Sequence, residues 1–394
     1  MNEWSERALA LKEAIITARP AMDGARRMED SLAAAFAEAG FFRLCVPKAY
    51  GGLEAPAQII AETLEALAET DASAAWVAMI GATSGAEAAF LEPAAAREIF
   101  SAPNTIVTGV YAPMGKAVAE GEGYRVSGQW KWNSGGHVST WLSGGCLILE
   151  GGKPVFGADG APLMRMVLVP KSEATLLDTW HSRHAGDGGH TWHTGGLKGT
   201  GSGDMAIKDV FVPRARTISL TDDQPRIAAP LYKFPIFGLL ALGIAAVASG
   251  NCRGALAEFA HVAANKRMPN GRSLAERSST QNLFAHAHAD YAAARAWLFA
   301  EVQAAWAEAE GAAAISTPQR TRLRLACTHM VRTGADVARR LQDAAGGASV
   351  FVADPLYRRS TDAQTMTAHI MTGPSTYDLT GRVLLGGEAS IAEL

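Results

Sequence analysis

The order in which hydrophobic patterns change along the chain constrains the fold more than any other feature of this sequence. Residues 4–100 repeat apolar side chains at helical spacing, and residues 103–220 carry short alternating runs of the kind found in strands. Beyond Pro230, long Ala- and Leu-rich runs predict helices at 236–264, 281–310 and 318–345. This order predicts a mainly α protein with a central β-domain. We place an N-terminal helical domain, a middle β-domain and a C-terminal helical domain at 1–102, 103–225 and 226–394.

Local signals support the first helical region. Met28, Leu32 and Phe36 recur at i, i+4 and i+8, and Gly40 follows as a C-terminal stop. Asp71 precedes an Ala-rich run and has the right side chain to cap a helix N-terminus. These signals predict at least two helices before the middle region begins.

The middle region has the composition of an antiparallel barrel or sandwich. Glycine pairs and prolines separate its apolar runs, as turns do between short strands. Trp130 and Trp132 lie two residues apart, so they share a face only where the strand is regular. The clearest strand candidates are 124–127, 146–149, 166–169 and 207–212.

Bulk composition excludes several classes of function. Of the 394 residues 48% are hydrophobic, which is ample for a large core, and the net charge of −3 offers no basic surface for nucleic acid or anionic lipid. Residues 234–252 carry no charge, but Pro235 and three glycines favour a helix buried in a protein over a membrane span. Four scattered cysteines indicate reduced thiols. With a polar N-terminus that lacks a signal peptide, they predict a cytoplasmic protein.

Generic catalytic signatures are absent from the sequence, which has no P-loop, no GxSxG nucleophile elbow and no HExxH motif. The glycine-rich run at 199–204 precedes a strand pattern, so it lacks the context of a dinucleotide-binding loop. Four histidines cluster in an insertion at 180–195, where they are either zinc ligands or, as we favour, part of a solvated loop. We therefore predict no metal site.

Several segments spread over nearly the whole chain resemble the acyl-CoA dehydrogenase superfamily. The matching segments are 39–52, 128–136, 196–202 leading into 209–213, and 342–347. The resemblance implies an N-terminal helical domain, a middle β-barrel and a C-terminal four-helix bundle. It also implies a homotetramer, in which residues 342–347 reach the flavin of a neighbouring subunit.

Residues 111–117 and the Trp-x-Trp-x-Ser-Gly run are most similar to the two-component flavin-dependent monooxygenases. These include the 3-hydroxy-9,10-secosteroid and 4-hydroxyphenylacetate hydroxylases. The resemblance implies that reduced FMN or FAD is supplied by a separate NAD(P)H-dependent flavin reductase. Reaction with O2 would then oxygenate a small aromatic or heteroatom-containing substrate through a flavin C4a-hydroperoxide.

The resemblance also bears on the dehydrogenase reaction. Acyl-CoA dehydrogenases need a carboxylate to remove the substrate α-proton as hydride leaves for the flavin. The turn that usually carries this glutamate has Thr372 here, and the helix that supplies the other family solution, here 237–248, contains no acid. A monooxygenase is therefore favoured. The alternatives are a CoA-thioester dehydrogenase with an unrecognised base and a catalytically idle ligand-binding scaffold.

The resemblance implies catalytic roles for His369 and Ser134. An imidazole that titrates at about pH 6.5 can deprotonate a phenol or hold a proton network, and the Ser134 hydroxyl or amide can hydrogen-bond the flavin. Trp130 and Trp132 are candidates to wall the flavin ring. The residues expected to bind the cofactor are Tyr111, Pro113, Gly115, Trp132, Asn133, Ser134, Thr200, Ser202, Arg267, Gly346 and Gly347.

One segment departs from the related hydroxylases. Residues 81–90 lack the substrate-contacting histidine that some of those enzymes carry. The single acid of this segment is Glu87, which we expect to be solvated. The departure implies that the substrate is held differently here.

Overall fold

The computed structural model describes residues 2–157, 160–180, 194–219, 222–311, 314–389 and 394. Within these residues the chain forms eleven α-helices and one eight-stranded sheet. The helices before the sheet are α1 Glu3–Ala10, α2 Lys12–Ala25, α3 Asp30–Glu38, α4 Ala57–Thr70, α5 Ala72–Ser84 and α6 Pro93–Phe100. Those after it are α7 Ile236–Asn265, α8 Ser278–Glu310, α9 Thr317–Ala345, α10 Pro355–Met366 and α11 Ser375–Leu384.

The sheet lies between the two groups of helices. Its strands are β1 Val107–Glu120, β2 Gly123–Trp130, β3 Trp141–Glu150, β4 Lys153–Pro154, β5 Met164–Pro170, β6 Thr175–Leu177, β7 Asp204–Pro213 and β8 Thr217–Ile218. Their order is β6-β7-β2-β1-β3-β5-β8, and β4 pairs with β3. The β1–β3 pair is parallel and every other pair is antiparallel. The sheet has a hydrophobic core of its own, in which Trp130 is fully buried.

The helices before and after the sheet share one hydrophobic core. Helix α7 packs against α4, α5, α9 and α10, so the first and last parts of the chain are joined along its length. In the described part of the chain, α7 alone is long and apolar enough to cross a membrane by length and composition. However, 83% of its most apolar stretch is buried inside the protein. The structure therefore confirms the prediction of a buried core helix at 234–252.

Most local signals in the sequence are confirmed. Met28, Leu32 and Phe36 are all buried, and Gly40 adopts a φ of 85° after the end of α3. The Asp71 side chain accepts a hydrogen bond from the Ala74 N–H at the start of α5. All four strand candidates lie in strands, and the three long C-terminal runs are α7, α8 and α9. The exact domain boundaries stay a prediction.

A buried carboxylate ties α4 to α7 and α8. Glu65 is 2% exposed, and Arg295 donates to both of its oxygens at 2.7 Å. Arg253 and Ser249 donate to the same carboxylate at 3.2 and 2.5 Å. Four hydrogen-bond donors on two helices therefore replace the water that the carboxylate loses on burial. A buried charge is stable only when it is paired and hydrogen-bonded in this way.

We expect Glu65→Gln to lower the free energy of unfolding by about 2–4 kcal/mol, because Arg295 loses its counter-charge and the buried amide cannot accept from all four donors. Arg253 keeps its ion pair with Glu69 at 2.6 Å. Urea unfolding followed by far-UV circular dichroism measures the change. Glu92→Gln is the control, because Glu92 forms an exposed ion pair with Arg226 and its loss should change little. Equal stability of the Glu65 variant and the control would contradict this account.

Candidate active site

Helix α5 supplies one wall of the site. It begins at the Asp71 cap and consists mainly of small residues, so neighbouring elements approach it from every side. Twelve of its thirteen residues are buried. It contacts β1, α7 and the short turn Lys198–Thr200, and therefore touches all three regions of the chain.

Two irregular segments meet beside α5. One follows β2 at 132–136, and the other precedes β7 at 199–203. The Asn133 N–H donates to the Gly203 carbonyl at 2.8 Å, and the Gly135 N–H donates to the Thr200 carbonyl at 2.9 Å. These backbone bonds bring together Trp132, Asn133, Ser134, Thr200 and Ser202, five of the residues that the sequence predicts for the site.

A chain of hydrogen bonds runs through the buried hydroxyl groups of these segments. The Trp76 indole N–H on α5 donates to Ser134 Oγ at 3.1 Å. Ser134 Oγ lies 2.6 Å from Ser202 Oγ, which lies 2.7 Å from Thr200 Oγ1. The chain ends where Thr200 Oγ1 donates to the Leu197 carbonyl at 2.9 Å.

The two ends of this chain determine the direction of every proton in it. A carbonyl only accepts and an indole N–H only donates, and each hydroxyl has a single proton. Thr200 spends its proton on Leu197, so Ser202 must donate to Thr200 and Ser134 must donate to Ser202. Ser134 Oγ therefore has no proton left, and it presents only a lone pair to a further partner.

Trp132 precedes Ser134 by two residues in the same irregular segment, and its ring is exposed. Its side chain is 63% exposed, and its backbone has a φ of 64° in the left-handed region. Such a conformation costs a non-glycine residue about 1 kcal/mol or more and is typical of binding sites. Trp130, in contrast, is buried in the sheet core and donates its N–H to the Gly145 carbonyl at 2.6 Å. Of the two tryptophans, only Trp132 is free to pack on a bound ring.

His369 follows α10 and reaches the same place from the C-terminal region. Its ring meets the Trp76 ring edge-on, with 5.7 Å between the centroids. Its Nδ1 accepts the Met371 N–H at 3.2 Å, so the proton of the neutral ring is on Nε2. Burial and then the charge of Arg324 lower the pKa of His369 to about 4. The ordinary histidine pKa of about 6.5, assumed from the sequence, is lowered here by burial. The neutral imidazole therefore offers Nε2–H as a hydrogen-bond donor, and its Nδ1 is occupied by the Met371 N–H.

The remaining predicted residues fall into two groups. Residues 111–115 border the site, because the Lys131 N–H next to Trp132 donates to the Met114 sulfur at 3.4 Å. Tyr111 turns its hydroxyl inward, Pro113 is exposed, and Gly115 packs so closely on Trp130 that a Cβ would lie 2.1 Å from its ring.

The second group lies away from the site within a single chain and consists of Arg267, Gly346 and Gly347. The Lys266 side chain is next to Gly346, at the far end of α7 from the α5 contact at Gly243. A helix rises about 1.5 Å per residue, so the two places are roughly 35 Å apart along α7. The single chain therefore leaves these three residues outside its own site.

Sequence reasoning missed Trp76 and misjudged Glu87. Trp76 is the donor that anchors Ser134, and its signal was a lone indole in a helix otherwise made of small and aliphatic residues. Glu87, expected to be solvated, is fully buried and accepts a hydrogen bond from Ser143 Oγ at 3.0 Å. The expectation was wrong because the segment that carries it, Gly85–Ala89, is a short 3-10 turn enclosed by its neighbours, not the surface of a helix.

Of the histidine-rich insertion at 180–195, the structure describes residues 180, 194 and 195. His181, His184, His190 and His193 lie outside the described residues. In the part of the chain that the structure describes, no three His, Cys, Asp or Glu residues are grouped as metal ligands would be. The four cysteines are buried, separate thiols.

Comparisons with known proteins bear on what this site does. Residues 242–374 match the model of the acyl-CoA dehydrogenase C-terminal domain. The chain is 30% identical to the indole-3-acetate monooxygenase of Acinetobacter baumannii, over 88% of this chain and 85% of that protein. It is 29% identical to the flavin-dependent monooxygenase oxygenase subunit HsaA of Mycobacterium tuberculosis, over 90% and 88% of the two chains.

A solved structure extends the match to three dimensions. XiaF from Streptomyces in complex with FADH2 and glycerol superposes with a TM-score of 0.86 and 25% identity. The match covers 98% of this chain and 96% of that one. The two sequence relatives named here are monooxygenases. This agrees with the lack of an acid at both positions that carry the base in acyl-CoA dehydrogenases. The chain thus belongs to the acyl-CoA dehydrogenase superfamily, as one of its flavin-dependent monooxygenases.

Proposed function

We propose that this chain is the oxygenase component of a two-component system that oxygenates a small aromatic or heteroatom-containing molecule. The observation that carries the proposal is the direction of the hydroxyl chain, which leaves Ser134 Oγ as an acceptor only. Reduced flavin has an N–H at N5, whereas oxidised flavin has a bare nitrogen there. We place Ser134 Oγ beside N5, where an oxygen that only accepts hydrogen bonds favours reduced FMN or FAD over the oxidised forms.

The surrounding residues fit such a cofactor. The exposed Trp132 ring, in the same segment as Ser134, offers an apolar face, and aromatic faces pack well on a planar ring system. The turn at Thr200–Ser202 and the segment 111–115 complete the set of residues that would hold it. When bound, reduced flavin would supply two electrons, so that one atom of O2 enters the substrate and the other leaves as water.

The chain itself would supply positioning and exclusion of water. Helix α5 covers one side of the site with buried apolar residues, which would exclude water and limit the unproductive release of hydrogen peroxide. His369 would donate its Nε2–H to an oxygen or nitrogen of the substrate and orient it. A pKa of about 4 makes this imidazole a poor base at neutral pH, so we assign it the role of donor.

The same proposal includes partners and assembly. A separate NAD(P)H-dependent flavin reductase would deliver the reduced flavin. A homotetramer would bury the apolar side chains exposed near the C-terminal end, which include Val350, Phe351 and Leu385 at 65, 67 and 91% exposure. It would also give Arg267, Gly346 and Gly347 a role at a neighbour's flavin. With four separate buried thiols, a cytoplasmic location is the natural one.

Supply of reduced flavin under 18O2 tests the function. A flavin reductase, NADH and FAD or FMN would be combined with the protein and indole-3-acetate, indole or phenol as probes. Mass spectrometry should find a product with one 18O atom that forms only when all components are present. Failure to label any probe, together with reduction of protein-bound FAD by an acyl-CoA, would restore the dehydrogenase.

We expect Ser202→Ala to reduce the preference for reduced flavin by about fivefold, the worth of roughly one hydrogen bond. The substitution removes the acceptor of the Ser134 proton, which is then free to donate to the bare N5 of oxidised flavin. Anaerobic titration with reduced and oxidised FMN gives the two dissociation constants. Ser139→Ala is a matched control, because the buried Ser139 hydroxyl donates to the Gly136 carbonyl and is not part of the hydroxyl chain. A ratio equal to that of the control would refute the assigned proton direction.

The low pKa of His369 has a consequence for stability. The unfolded chain, with an ordinary histidine pKa of about 6.5, binds more protons than the folded chain between pH 6.5 and about 4. Burial of the neutral ring therefore costs stability progressively as the pH falls through that window. Urea unfolding across this range should show a shallower loss in His369→Gln than in the wild type. Parallel curves would mean that His369 titrates normally.

A further inference from the structure

A buried arginine on α9 lies near His369 and has no counter-charge. Arg324 is 3% exposed. Its Nη1 donates to the Phe237 carbonyl at 3.2 Å and to the Met371 sulfur at 3.6 Å, which are both uncharged acceptors. Among the residues that the structure describes, no carboxylate pairs with this guanidinium, and burial lowers its pKa. A buried charge is ordinarily paired, so the stabilisation of this cation is incomplete.

One edge of the Arg324 guanidinium is free to bind a partner. Nε is buried and has no hydrogen-bond partner. Nη2 makes no hydrogen bond within the described residues either, but, unlike Nε, it is not fully enclosed. Phe237 and Met371, which Arg324 contacts, are half-buried, so this place is open on one side. Nε and Nη2 lie on the same edge of the planar group, the arrangement that binds a carboxylate through two parallel hydrogen bonds.

The N-terminus of α7 adds positive potential at the same place. Arg324 donates to the carbonyl of Phe237, the second residue of this 30-residue helix. No side chain caps the first N–H groups of α7, and its first turn contains no acid. The unsatisfied N–H groups of a helix N-terminus carry a partial positive charge that attracts anions. A guanidinium without a counter-charge and an uncapped helix N-terminus therefore both favour an anion here.

Met371 connects this place to the candidate active site. Its sulfur accepts a hydrogen bond from Arg324, and its N–H donates to His369 Nδ1. The charge of Arg324 also contributes to the lowered pKa of His369, so the two side chains are close enough to interact. The next residue, Thr372, has a buried hydroxyl without a hydrogen-bond partner. An anion at Arg324 would therefore lie beside the imidazole to which we assign the orientation of the substrate.

We propose that the free edge of Arg324, formed by Nε and Nη2, binds a carboxylate of the substrate, whose ring extends toward His369. This inference rests on the proposed function and narrows its substrate class to aromatic molecules that carry an acidic side chain. Arg324 would determine specificity and take no part in oxygen transfer. An acid would neutralise the buried cation, whereas a neutral analogue would leave the cation without a counter-charge.

Indole-3-acetate and indole-3-acetamide are one pair of probes, because they have nearly the same shape and differ in charge. Phenylacetate and phenylacetamide are a smaller pair. Dissociation constants would be measured by calorimetry on the intact protein with reduced FMN under anaerobic conditions. We expect the wild type to bind each acid at least about tenfold more tightly than its amide, as hydrogen bonds between two charged groups allow. Arg324→Met should remove this preference by weakening the binding of the acids.

Arg322→Met is the matched control, because Arg322 is an exposed residue of the same helix that pairs with Glu301, and its loss should leave the preference unchanged. Arg324→Lys retains the charge without the two-donor edge and should keep only part of the preference. Urea unfolding should find Arg324→Met at least as stable as Arg322→Met, since the former no longer buries a cation without a counter-charge. If Arg324→Met does not fold, Arg324→Lys decides, because an unchanged preference there would contradict the two-donor edge.

A preference for acids that persists in Arg324→Met would overturn the proposal and make Arg324 a structural residue. Equal binding of acid and amide by the wild type, or binding of none of the four probes, would also overturn it. None of these measurements needs turnover. Incorporation of 18O into indole or phenol without any preference for acids would refute this inference alone, whereas a preference for acids without any labelled product would count against the proposed function alone.

Discussion

The hydrogen bond from the Trp76 indole to Ser134 Oγ joins a helix from the first part of the chain to the segment that leaves the sheet. Without it, Ser134 would be an ordinary residue in a turn. With it, the position of the serine oxygen depends on α5, whose own position depends on close packing against β1 and α7. The position of the Ser134 oxygen therefore depends on how firmly buried contacts hold α5.

A buried network of ion pairs connects α10, on the other side of the site, to the start of α5. Asp71, which caps α5, pairs with Arg358 of α10 at 2.8 Å, and the nearby guanidiniums outweigh burial and lower the pKa of Asp71. One turn along α10, Asp362 accepts the Leu197 N–H at 2.5 Å. Leu197 is the residue whose carbonyl ends the hydroxyl chain. The same helix leads to His369, so α10 couples the loop and the histidine to the start of α5.

Two buried polar arrangements adjoin α5 and the turn that follows it. The hydroxyl chain from Trp76 to Leu197 is fully satisfied, and its direction makes Ser134 an acceptor. The buried Glu87 carboxyl is oriented by the Ser143 hydroxyl, which donates to it at 3.0 Å. In a low-dielectric interior both are strong interactions, since each unmade bond there costs more than it would in water.

The sequence by itself determined the order of elements, the buried helix at 234–252, the superfamily and the absence of both usual dehydrogenase bases. It also predicted five residues that the structure brings together, because the motifs at 132–134 and 200–202 resemble those of a known family. It did not reveal the role of Trp76, the burial of Glu87, the separation of Arg267 from the site or the low pKa of His369. Tertiary structure decided these, because burial and proton direction depend on contacts between residues far apart in the chain. Periodicity and spacing describe only the residues nearby.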